Sequence, residues 1–163
     1  MKKKGPDMQI NRLFFIIIIG LIFLTPVFLS AQTAEDMEMI LDVPAVSYDQ
    51  AARFVLGATE GNPEVSAGAP GVAFDMAKER GWLPKKAAAD DPATIKGVSF
   101  LMMKAFDIKG NLLYTIFKAP RYAFRTLESR SLLQGTNDPG MKVSGVKFLQ
   151  ILGNVLNVAG GEE

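Results

Sequence analysis

The stretch Asp91-Pro92-Ala93-Thr94-Ile95-Lys96-Gly97-Val98-Ser99-Phe100-Leu101-Met102-Met103-Lys104-Ala105-Phe106-Asp107-Ile108 decides the fold. Asp-Pro breaks whatever precedes it. Thr94 is placed to cap a new helix by accepting a backbone N–H two or three residues on. Val98, Leu101, Met102, Ala105 and Ile108 then recur at helical spacing. Phe100 and Met103 widen that face, so the helix is apolar nearly all round and belongs at the centre of a bundle. Lys109-Gly110-Asn111 is expected to end it. The two methionines at 102 and 103 read as core filler.

Working outward, two other capped starts stand out. Ser47-Tyr48-Asp49-Gln50 has the capping-box pattern, Ser at the cap and Gln three residues later. Its helix is expected to stop at Gly57 or Gly61. Ser144 opens the last helix, expected to reach about Leu156. Further helices are expected from about Val72 to Arg80 and from about Arg121 to Leu133. Leu112 to Phe117 is too short for periodicity to choose between helix and extended chain. No alternating strand pattern is present, so the expected class is all-α.

The chain also repeats itself. Ala73-Phe74 with Arg80-Gly81-Trp82-Leu83 lines up with Ala123-Phe124 and Arg130-Ser131-Leu132-Leu133. Gly97-Val98-x-Phe100-Leu101 lines up with Gly145-Val146-x-Phe148-Leu149, and Asp91-Pro92 with Asp138-Pro139. The capped helix at Ser47 looks like the second half of a further unit. A period of about 50 indicates stacked helical hairpins, none able to bury its apolar face alone.

The N-terminus reads differently. Lys2, Lys3, Lys4 and Arg12 precede a seventeen-residue apolar run, Leu13 to Leu29, followed by Ser30-Ala31. This is the pattern of a secretory signal peptide, residues 1–31, cut before Gln32. An uncleaved membrane anchor is the rival reading. Residues 32–44 are then a flexible acidic lead, 45–157 the helical domain and 158–163 a tail.

Of the 163 residues none is Cys or His, which removes most metal sites and most nucleophile–base pairs. No cofactor is expected. Removing Lys2, Lys3, Lys4, Arg12 and Asp7 with the leader leaves 14 basic and 16 acidic residues, a net charge of −2. That balance argues against nucleic acid as a partner. Asp90, Asp91 and Asp138 read as helix stops and caps rather than acid–base pairs.

The helix, Gly-apolar exit, polar loop, Pro and Thr-capped apolar helix resemble the surface-layer homology (SLH) module of bacterial envelope proteins, over Ala45 to Leu156. Ala93-Thr94, Val143-Ser144 and Val46-Ser47 stand where that family has Ile-Thr. The resemblance implies an SLH-like bundle of helical hairpins. It also implies an exported, non-enzymatic module that binds a cell-wall polymer or another envelope protein. The family's polymer-binding Arg after that Thr is Ile95, Gly145 and Tyr48 here, so its usual ligand site is not carried over. The alternatives are a periplasmic hydrolase and a membrane-anchored display of the same module.

The strongest binding candidates are Lys118, Arg121, Tyr122 and Arg125. Arg121 and Arg125 are four apart on one helix side, with Glu128 a possible ion-pair partner. An Arg fork suits phosphate and carboxylate. Trp82 is a further candidate, either stacking on a ligand or wedged between helices.

Overall fold

A computed structural model describes residues 37–60, 69–135 and 138–160. The leader and the first part of the lead lie outside those residues. Six helices follow in order: α1 Tyr48–Glu60, α2 Val72–Glu79, α3 Ile95–Ala105, α4 Leu112–Phe117, α5 Pro120–Ser129 and α6 Gly145–Ala159. A helical turn at residues 37–41 precedes them. No strand occurs among the described residues, only two isolated bridges, Ser47 to Pro92 and Thr94 to Lys142. The all-α class therefore holds.

All three expected caps form. Ser47 and Gln50 make a reciprocal capping box: the Gln50 N–H donates to Ser47 Oγ (3.1 Å), and the Ser47 N–H to Gln50 Oε1 (3.0 Å). Thr94 Oγ1 accepts from the Gly97 N–H and Ser144 Oγ from the Lys147 N–H. Each satisfies an amide that the first helical turn leaves unpaired.

The residues just before these caps meet in a closed ring of backbone hydrogen bonds. The Val46 N–H donates to the Val143 carbonyl (2.8 Å), Val143 to Ala93 (3.0 Å) and Ala93 to Val46 (2.7 Å). All three side chains are fully buried. A second set runs outside it, from Tyr48 to Asp91, Ile95 to Met141 and Gly145 to Val43. Buried amides cost free energy unless paired, and here each segment supplies its neighbour's partner. Three chain segments far apart in sequence thus form one hub.

α1, α3 and α6 start at that hub. α2 packs on α1, and α5 packs on α3. α3 also touches α1 and α6, and buries Val98, Leu101, Met102 and Met103 almost completely. Phe148 of α6 is fully buried, with Phe54 of α1 edge-on at 6.0 Å. Phe100 is buried as expected, but Leu149 is only half-buried.

Of the two expected stops for α1, the helix passes Gly57 and runs to Glu60, the residue before Gly61. Several other boundaries differ from the sequence reading. α5 stops at Ser129 because Ser131 turns left-handed (φ 57°), with the Leu132 N–H bonded to the Leu127 carbonyl and the Ser131 N–H to Glu128. α2 ends in the same geometry at Gly81 (φ 68°). Both are helix stops of the Schellman type. α3 also ends this way, at left-handed Asp107, so Ile108 is buried but lies beyond the helix. Leu112–Phe117 is a helix because Asn111 Oδ1 accepts from the Tyr114 N–H. α6 extends past Leu156 to Ala159.

The matching pentapeptides do not occupy matching places. Gly97 is the third residue of α3, whereas Gly145 is the first of α6. A Cβ at Gly97 would meet the Tyr48 ring, and one at Gly145 the Ile40 backbone carbonyl. Each glycine allows a close approach, but of a different neighbour. The second approach also docks the end of the lead: Ile40 is buried and Val43 accepts from Gly145.

Candidate functional site

One cleft of the bundle is set by α2, α3 and the α4–α5 junction. α2 and its exit supply Lys78, Gly81, Leu83, Pro84 and Lys85; α3 supplies Phe100 and Lys104; the α4–α5 junction supplies Phe117 and Lys118. The cleft measures about 750 Å³ and its lining holds four lysines and no carboxylate. Two lysines lie over rings one helical turn earlier, Lys78 over Phe74 at 5.0 Å and Lys104 over Phe100 at 5.8 Å. The (i, i+4) spacing puts stem against ring and leaves the ammonium outward.

A second, smaller cleft of about 360 Å³ shares Pro84 with the first. Lys86, Lys96 and Lys142 border it, with Tyr48, Thr94 and Asp91. Asp91 Oδ2 accepts from the Ala88 N–H, so part of its charge is spent on the turn. Together the two clefts form a band of seven lysines. The ion pair of Arg80 with Glu60, at 2.6 Å, involves none of these lysines. Such a band attracts anions at a distance and holds them by several weak contacts rather than one fork.

Of the residues singled out from the sequence, Lys118 lines the main cleft, and its left-handed backbone (φ 43°) turns the chain from α4 into α5. Tyr122 stacks on Phe117 of the cleft wall, centroids 5.4 Å apart at 26°. Arg121 and Arg125 are exposed on α5, outside the cleft lining, and no carboxylate among the described residues pairs with either, Glu128 included. Trp82 is half-buried with the Arg80 guanidinium over its ring at 4.9 Å, so one face is already covered. Sequence reasoning missed Lys78, Lys85 and Lys104. The Phe74/Lys78 and Phe100/Lys104 spacings were the available signal for two of them.

The acidic residues behave as turn formers. Asp138 Oδ1 accepts from the Gly140 N–H at 2.6 Å, and buried Asp49 accepts from the Gly71 N–H at 3.1 Å, tying α1 to the start of α2. Tyr114, the buried residue of α4, has its phenol pushed up to about 12, first by burial and then by the nearby Asp107 charge. Among the described residues no three acidic side chains gather as a metal site would require.

Compared with protein-family models, with curated proteins and with solved structures, the chain matches none.

Proposed function

We propose that this chain is an exported, non-enzymatic module of the cell envelope, an SLH-like helical bundle that holds an anionic envelope polymer. The observation that carries the reading is the cleft lined by Lys78, Lys85, Lys104 and Lys118 without a carboxylate. A uronate- or phosphate-bearing chain offers it spaced negative charge, and a sugar face suits the exposed Phe117 ring. The ring through Val46, Ala93 and Val143 supports the repeated, three-part architecture. Export is read from residues 1–31, which lie outside the described residues.

The test is co-sedimentation of the chain with purified cell wall across salt concentration. Between about 0.01 M and 1 M salt the screening length falls from about 30 Å to about 3 Å. Binding should be retained at the low end and lost at the high end. Absent binding, or binding indifferent to salt, contradicts the reading. An acidic envelope protein is the second reading, favoured by the unpaired, exposed Arg121 and Arg125. It expects Arg121→Ala/Arg125→Ala to abolish capture from envelope extract while wall binding persists.

A further inference from the structure

Among the described residues, helix α4 turns four large apolar side chains outward together, against three on the turn at residues 37–41. Leu112 is 75% exposed, Ile116 62%, Phe117 59% and Leu113 41%. Six residues can bury little, and Asn111 at one end and left-handed Lys118 at the other limit the helix to that length. Only Tyr114 is buried, with its ring against the backbone of Gly110. Four large apolar groups on one short, projecting helix form a wedge, not a groove. A contiguous patch of this kind marks a contact site.

Polymer binding in the cleft leaves this wedge unexplained. Its surroundings indicate what covers it. Phe117 and Lys118 belong both to the wedge and to the cleft wall, so the apolar tip runs directly into Lys78, Lys85 and Lys104. Arg121 and Arg125 follow on the next helix, without carboxylate partners among the described residues. Asp107 acts on Tyr114, the buried member of α4, rather than being paired with any of these cations. A second copy of the same face would bring cations against cations. A convex apolar tip beside a cationic band instead fits a surface that is anionic outside and hydrocarbon beneath.

We propose that α4 is an interfacial wedge: Leu112, Leu113, Ile116 and Phe117 enter the headgroup boundary of an anionic phospholipid bilayer, and the flanking lysines take lipid phosphates. Insertion of this type reaches about 5–10 Å below the headgroups. It is a membrane contact separate from anything residues 1–31 do, and it does not require the polymer reading.

The chain contains no cysteine, so a single Ile116→Cys carries a polarity-sensitive fluorophore without side reactions. The labelled full chain is reconstituted into vesicles of phosphatidylcholine alone and of phosphatidylcholine with phosphatidylglycerol, with a label at Asn157→Cys on α6 as control. Because the label reports its own surroundings, tethering through the N-terminus does not mimic the signal. The expected result is a blue shift and brighter emission at position 116 in the anionic vesicles only, reversed by high salt and absent at position 157. Adding Lys104→Glu and Lys118→Glu to the labelled chain should remove it without changing the helical circular dichroism. No shift in anionic vesicles overturns the proposal, as does an equal shift in both lipids. So does a shift that grows with protein concentration in the absence of vesicles, which would mean a second copy covers α4. Wall co-sedimentation is read separately, so either proposal can fail while the other stands.

Discussion

At the hub and at α4 the same chain handles its apolar residues in opposite ways. At the hub, Val46, Ala93 and Val143 are fully buried and exchange backbone hydrogen bonds in a closed ring. Two glycines there admit a tyrosine ring and a carbonyl that a side chain would displace. At α4, one residue in six is buried and the rest face outward. The three side chains of the ring are closed off from solvent, and α4 buries little apolar surface. The core and the proposed binding surfaces therefore lie in different parts of the molecule, joined through α3, which gives apolar side chains to the core and Lys104 to the cleft.

That division can be broken by substitution. Phe148→Ala should be the most costly, about 3–5 kcal/mol, because the side chain is fully buried and leaves a cavity facing Phe54. A denaturant midpoint close to wild type would place the core elsewhere. Gly145→Ala should cost about 1–3 kcal/mol, as expected for overpacking, because the new Cβ would overlap the Ile40 carbonyl, which is backbone and cannot rotate away. Gly97→Ala meets only the Tyr48 side chain, so the thermal midpoint should fall less. The opposite order would show that the lead is not docked through Gly145.

Tyr114 sharpens the α4 side. Its phenol is held up to about 12 in the fold against an ordinary 10. Below pH 10 both states keep the proton and the contribution is complete. Between pH 10 and about 12 the unfolded chain loses it first, so stability falls as pH rises. Tyr114→Phe should remove that part of the alkaline decline, seen as a smaller drop in the unfolding midpoint than wild type. Identical alkaline profiles would mean the phenol is not buried in solution.

The smallest stability effects belong to the surface charges. Arg121→Ala/Arg125→Ala should leave the midpoint within about 0.5 kcal/mol of wild type, since exposed positions without partners seldom matter more. Marked unfolding would make these arginines structural.

Sequence reached the hub more readily than the site. Ser47, Thr94 and Ser144 are local signals, since a cap and its amide lie three residues apart, and each is found in place. The 50-residue match of Arg80-Gly81-Trp82-Leu83 with Arg130-Ser131-Leu132-Leu133 likewise falls on two helix exits with one hydrogen-bond geometry. The pentapeptide match misled because its two glycines answer to different neighbours, which only the packing reveals. Leu112–Phe117 was undecidable from periodicity, and the Asn111 cap that settles it lies outside the apolar run. The cleft could not be read from spacing at all, because α2, α3 and the α4–α5 junction each bring one part of it.

The central claim is that the lysine cleft binds while the hub holds the fold. Lys78→Gln/Lys104→Gln/Lys118→Gln, measured for cell-wall co-sedimentation and for denaturant midpoint on the same preparation, tests it most directly. The account predicts binding lost at low salt with a midpoint shifted by no more than about 1 kcal/mol, the sum of small surface effects. Wall binding equal to wild type, in a triple variant that remains folded, would contradict it.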